Sequence, residues 1–210
     1  MTVDSVREVA IGDDWELPPR EASAEEIRIE TESVESPEKR FEGYAFEGQD
    51  VVKGTYEYES NPMFGSPKTA TGSFQLRKES GLVIIRMDDD QPHPESIFQS
   101  LDDVINGNTE IQEHFVPKRQ RVWDFINAAY QKGEIKVLPP YGEVTSAAQI
   151  DVDEETLREY PIETAELVFE YEGNEVVVAY SDDRLSIKTD DNANREYVLQ
   201  VFESKILGDR

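Results

Sequence analysis

Oxygen donors and one imidazole crowd a short stretch of this chain, where Asp88, Asp89, Asp90, His93 and Glu95 fall within eight residues. Carboxylates at that density suit a hard divalent cation such as Mg²⁺, Mn²⁺ or Ca²⁺, so Asp88, Asp90, His93 and Glu95 form the candidate metal set. The competing reading is plainer: a stretch rich in Asp and Pro is a solvated connector, and the same residue types start helices well. His114, the second of two histidines, lies 21 residues beyond His93 and outside any HExxH-type spacing, which points to surface or capping roles for both. Asp190, Asn192 and Asn194 open like a calcium loop, but Arg195 stands where that loop needs Gly and Val201 where it needs Glu. Glu134-Ile135-Lys136 has the Glu-x-Lys shape of many nuclease strands, in which carboxylates hold Mg²⁺ and Lys meets developing charge. Its Asp partner would have to come from Asp88 to Asp90, and so short a pattern arises by chance in so charged a chain.

The sequence contains no cysteine, which removes disulfides, thiolate zinc sites, iron–sulfur clusters and cysteine nucleophiles together. It also lacks a glycine-rich phosphate loop, a dinucleotide fingerprint and a Gly-x-Ser-x-Gly elbow. Binding is therefore expected ahead of catalysis, with no cofactor.

The sharpest anomaly is a basic stretch over residues 117–136. Lys118, Arg119, Arg121, Lys132 and Lys136 there oppose only Asp124 and Glu134, inside a chain of formal charge −25. Three of these cations crowd a helix N-terminus, where the helix dipole disfavours them, and that hints at a compensating partner. With the flanking pattern, the order helix, helix, helix, strand is compatible with a winged helix-turn-helix whose third helix presents Arg119 and Arg121 to a groove. The bland alternative pairs these bases with the protein's own carboxylates and leaves Trp123, Phe125 and Tyr130 in the core. Salt weakens phosphate contacts steeply, which favours the bland reading.

The elements that would position these residues follow from periodicity. Residues 1–40 carry 12 acids against 5 bases and read as an acidic flexible arm with one short strand at Ile27 to Ile29. Val52, Tyr56 and Tyr58 alternate with polar residues, and Phe74, Leu76, a turn at Lys78 to Gly81 and Leu82 to Ile85 complete a meander. Ile97, Phe98, Leu101, Val104 and Ile105 share one face of a helix that Pro94 and Glu95 begin. A helical turn is expected over Glu110 to Phe115 and a longer helix over Lys118 to Gln131, with a strand over Glu134 to Leu138. Residues 139–164 read as a loop with a short acidic helix capped by Asp151 or Asp153. Residues 165–210 read as a three-stranded meander turning at Gly173-Asn174, then a helix capped by Asp190 or Asp191. The expected fold is α+β: antiparallel meanders each followed by a packing helix, with a helical middle segment that closes a region spanning residues 41–138. Meander plus helix occurs twice, as in a duplication, although the residues do not align.

Composition bounds the setting. The 210 residues hold 46 Asp and Glu against 21 Lys and Arg, with a pI near 4.3. The acids are dispersed, Lys is scarcer than Arg and Cys is missing, and in these respects the composition resembles that of proteins from salt-in haloarchaea, a class of proteome and not a family. At about 1 M salt the Debye length is about 3 Å, so neighbouring carboxylates scarcely repel while still binding water. The N-terminus has no secretory pattern and the densest apolar run, Leu82 to Ile85, is too short to span a bilayer, so a cytoplasmic protein without membrane contact is expected. The functional expectation is a non-enzymatic protein-binding or scaffold protein with an unknown protein partner. The alternative is a DNA-binding regulator acting through the basic middle helix, and the third reading is a metal-dependent enzyme.

Overall fold

The computed structural model describes residues 4–12, 15–60, 67–88, 93–105, 109–140, 142–181 and 184–208. The chain divides into two compact units, Met1–Pro37 with Gly48–Phe115, and Glu38–Glu47 with Val116–Arg210.

The first unit is a six-stranded antiparallel sheet with one helix against it. Its strands are β1 (Asp4–Ile11), β2 (Glu21–Ser23), β3 (Ile27–Glu35), β4 (Val51–Ser60), β5 (Lys68–Arg77) and β6 (Leu82–Met87), in the order β2-β3-β4-β5-β6-β1. Alternate residues point to one face, so Ile27, Ile29, Val52, Tyr56, Phe74, Leu76, Val83 and Ile85 assemble the core. Helix α1 (Pro94–Val104) lies across that face and contributes Ile97, Phe98, Leu101 and Val104, the five-position stripe being completed by its C-cap, Ile105. Two aromatic rings sit over glycines on neighbouring strands. Gly54 pairs with Phe74 and Gly72 with Tyr56, and a Cβ at either glycine would stand within 2.7 Å of the ring opposite. Bulky rings and missing side chains thus interlock, which keeps the face closely packed.

The second unit is a meander with helices on one face. It comprises α2 (Arg119–Asn127), β8 (Gln131–Val137), β9 (Thr145–Ser146), α3 (Glu154–Arg158), β10 (Ile162–Tyr171), β11 (Asn174–Ser181), β12 (Arg184–Lys188) and α4 (Asn192–Ile206), while β7 (Thr109–Ile111) precedes it in the first unit. The strand order is β12-β11-β10-β8-β9. Phe125 of α2 stacks on Phe169 of β10 at 5.3 Å and meets Phe202 of α4 edge-on at 5.2 Å, so one aromatic cluster joins both helices to the sheet. Between β10 and β11 the chain reverses through Glu172 at φ 51° and Gly173 at φ 80°. Two left-handed residues in succession match the right-handed twist of the strands they join. Asp191 caps α4 by accepting from the Asn194 N–H at 2.8 Å, and Asp153 caps α3 by accepting from Thr156 at 2.8 Å.

The expectation of an α+β fold with a helical middle segment is overturned. The protein is mostly antiparallel sheet, with twelve strands among the described residues, 43% strand and 23% helix. The middle differs most. Where a helical turn was expected over Glu110 to Phe115, β7 pairs with β1, Val9 opposite Ile111 and Ile11 opposite Thr109. A stretch that short cannot nucleate a helix by itself, and the strand edge offers it partners at once. Asp102 of α1 secures the exchange by accepting from the Ile111 N–H at 2.9 Å. Helix α2 is also shorter than expected, because Gln131 has already joined β10 opposite Val168. The flexible arm of residues 1–40 is instead strand over Asp4–Ile11 and Ile27–Glu35. Val6 and Val9 are buried there, and Asp4, 1% exposed, pairs with Arg86 at 3.2 Å. The acidic composition of the stretch does not show this, since the partner that makes β1 a strand is β6, about eighty residues away.

Candidate functional site

The structure disperses the residues that the sequence nominates. Of the candidate metal set, Asp90 lies outside the described residues. Asp88 accepts from the Thr71 hydroxyl at 2.8 Å. His93 is the N-cap of α1, its Nδ1 accepting from the Glu95 N–H at 3.5 Å, with the Glu95 carboxylate 3.9 Å away. Both side chains are thereby used in starting the helix, and among the described residues no group of three His, Cys, Asp or Glu is placed to hold a metal ion. Glu95 instead lines a cleft of about 340 Å³ in the first unit, where Asp102, Asp103, Glu110 and Glu113 surround the buried Arg7. Arg7 donates to the Glu113 carbonyl at 3.0 Å and lies 5.0 Å from the Phe98 ring centroid, so it braces this corner of the unit. Burial, then Asp103 and Glu110, push the Asp102 carboxyl above its ordinary value against the opposing bond from Ile111.

The basic residues all lie in the second unit, and most meet local partners. Lys118 is the exposed N-cap of α2 and makes no side-chain capping bond. Arg119 donates to the Glu159 carbonyl at 2.6 Å, beside the C-terminal end of α3, where a cation suits the helix dipole. Arg121 is half-buried and engaged. Lys132 donates to the Asn127 side chain, and Lys136 pairs with Glu134 at 3.4 Å. Lys132 and Lys136 lie on β8, which β9 covers only opposite Lys136 and Val137. Lysines on such an outer strand discourage unwanted pairing. The helix, helix, helix, strand order of a winged helix-turn-helix is not formed, because β7 stands where its middle helix was expected.

A site that the sequence reading missed lies elsewhere on the second unit. Residues 38–47 leave β3, run irregularly along α4 and return to β4. They are held chiefly through their main chain. Gln200, fully buried, accepts at Oε1 from the Arg40 N–H at 2.7 Å and from the Phe41 N–H at 3.1 Å. Its Nε2 donates to the Glu38 carbonyl at 2.8 Å and to Glu196 at 3.1 Å. Both donors and both acceptor directions of the amide are used, and a flipped amide would set donors against donors. One turn further along, the Ser204 hydroxyl accepts from the Ala45 N–H at 3.2 Å, and the buried Glu203 accepts from the Tyr44 hydroxyl at 3.0 Å.

Aromatic and cationic contacts flank this clasp. Tyr171 of β10 and Tyr197 of α4 stack at 4.7 Å, and Phe41 meets Tyr197 edge-on at 6.3 Å. Arg40 donates to the Tyr171 hydroxyl at 3.1 Å and lies 6.0 Å from that ring's centroid, while the Lys205 ammonium stands 5.6 Å from the Phe41 centroid. Burial, then Glu170 and Tyr171, raise the Tyr197 hydroxyl above its ordinary value, so its ring stays neutral at physiological pH. Residues 196, 197, 200, 203 and 204 recur at helical spacing, which makes a second stripe on α4 beside the apolar one of Val198, Val201, Phe202 and Ile206. Two signals could have revealed it: Gln200 interrupting the apolar run Val198 to Phe202 with Glu203 directly after it, and Phe41, Tyr44 and Phe46 within six residues of a polar stretch.

No protein-family model matches this chain, and no curated protein is significantly similar to it. Among the described residues, no helix is long and apolar enough to cross a membrane.

Proposed function

We propose that the protein is a non-enzymatic protein-binding module, and that α4 of the second unit is its recognition surface for an extended segment of a partner. The observation that supports this is the Gln200 clasp. A buried amide that takes two successive N–H groups and a nearby carbonyl reads main chain irrespective of side chain, as peptide-binding proteins do. Residues 38–47 then serve as the internal occupant of the surface. Recognition of this kind suits concentrated salt, because hydrogen bonds in a closed site and ring packing are screened far less than exposed ion pairs.

The test is a pull-down in molar KCl with three forms of the full chain. An Arg40→Ala/Phe41→Ala variant, whose own segment is loosened, is expected to retain a protein partner, and adding Gln200→Ala is expected to lose it. Equal capture by both forms would sink the reading. Retention of nucleic acid, abolished by substituting Lys118, Arg119 and Arg121 with Ala, would replace it with the regulator.

A further inference from the structure

Resting on that reading, we infer that the partner segment carries an arginine followed directly by a phenylalanine, with a tyrosine three residues later. The internal occupant displays this pattern as Arg40, Phe41 and Tyr44, and each position faces a group that selects it. The first position meets the Tyr171 hydroxyl and ring, which together suit a planar guanidinium better than a compact ammonium. At the second position the Tyr197 ring packs edge-on and the Lys205 ammonium faces the occupant's ring, so an aromatic face is favoured over an aliphatic side chain of similar size. The third position meets Glu203, which is fully buried and accepts from the phenol at 3.0 Å. A phenylalanine there would remove a hydroxyl donor from a carboxylate that water does not reach.

The form of the segment suits exchange. Residues 36–50 make a stretch of fifteen with neither helix nor strand; 38–47 lie between Pro37 and Gly48, the latter at φ 81°, while Gln49 and Asp50 are bonded to Ser80, Lys78 and Glu79 beside β4. Ordered stretches of about 12–15 residues without secondary structure are uncommon in compact domains and are often binding loops or lids. Here the stretch occupies a site built of buried polar groups, and its removal would leave those groups to a segment of the same design.

Tethering sets the expected magnitudes. A short tether holds its own segment at an effective concentration of about 1 mM, so for a segment that binds with Kd near 0.1 mM the internal copy weakens an external one roughly tenfold. The experiment is fluorescence anisotropy in molar KCl with a labelled peptide copying residues 38–47. It is titrated with the full-length wild type, with Arg40→Ala, and with Arg40→Ala/Phe41→Ala, each checked for fold by circular dichroism. The peptide is expected to bind the double variant roughly tenfold tighter than wild type, with the single variant between. Peptides with Arg→Ala, Phe→Leu or Tyr→Phe at the three positions are each expected to bind several-fold more weakly.

If all peptides bind the double variant equally and Gln200→Ala abolishes binding, the side-chain pattern is overturned while main-chain recognition stands. If no peptide binds any form, the proposed function falls as well. Dimerisation of the wild type that the peptide reverses would give the surface to a second copy and overturn the assignment to a different protein.

Discussion

Replacing Gln200 tests the proposed recognition surface most directly, because the bonds of its side chain are defined atom by atom. In Gln200→Ala the N–H groups of Arg40 and Phe41 and the carbonyl of Glu38 lose their partner together. A net hydrogen bond is worth about 1 kcal/mol, and Glu38, Arg40 and Phe41 are exposed or half-buried, so water can reach them and the low end of the unsatisfied-group penalty applies. Three bonds and the lost side-chain packing then sum to about 3–4 kcal/mol of local stability. Gln200→Glu keeps the size but should be as harmful. One oxygen still accepts from the two N–H groups, while the other faces the Glu38 carbonyl and the Glu196 carboxylate, and a buried charge is added one turn from Glu203. The assay is amide hydrogen exchange at fixed molar KCl, read at Arg40, Phe41 and Ala45 against Val178 in the core. A loss of that size exceeds what holds a tethered segment closed at a ratio of about ten, so both variants should lose protection at the first three by about tenfold, the whole of what closure gives, and leave Val178 far less changed. Protection unchanged within twofold at Arg40 and Phe41 would refute the reasoning.

Other predictions test the packing of the first unit and the effect of the net charge. Gly72→Ala would place a Cβ 2.1 Å from the Arg86 carbonyl and 2.5 Å from the Tyr56 hydroxyl, so it should destabilise by about 3 kcal/mol in urea titrations, as overpacking against backbone does. A loss below 0.5 kcal/mol would mean that the strands are not so closely apposed. Asp102 has a raised carboxyl value in the folded state, so its contribution is present below the unfolded value near pH 4 and is lost as pH rises through the folded one. Asp102→Asn, which keeps an acceptor for Ile111, should therefore stabilise at pH 7 by about 0.5 kcal/mol after discounting for screening, with the advantage vanishing near pH 3; a destabilised variant at pH 7 would count against it. Raising KCl from 0.15 to 2 M shortens the Debye length from about 8 Å to below 3 Å and should raise Tm by roughly 10 °C, because a formal charge of −25 repels itself less. A flat melting temperature would separate the acidic composition from salt adaptation.

What periodicity could read, it read where the deciding partners are neighbours. The start of α1 at His93, Pro94 and Glu95, the Asp153 and Asp191 caps and the alternation along β10 and β11 depend on residues a few positions apart. The reversal between those strands sits at Glu172 and Gly173, one residue before the Gly173-Asn174 pair that composition favours, because both turn residues must take positive φ and Asn174 already pairs with Tyr171. The candidate metal and basic residues were visible as residue types, yet their partners were not. Thr71 for Asp88 and the Glu159 carbonyl for Arg119 come from elsewhere in each unit.

The sequence by itself determined the charge, the absence of cysteine chemistry, the amphipathic face of α1 and the helix caps that punctuate the chain. Tertiary structure decided which short polar stretches became strands and where residues 38–47 are held. Asp4–Ile11 is a strand because β6 supplies its hydrogen bonds, and Thr109–Ile111 because the edge of β1 does. Residues 38–47 are ordered by Gln200, about 160 positions away. Such segments carry too little local preference to outweigh their chain entropy alone, so their conformation belongs to the distant groups that satisfy their backbone.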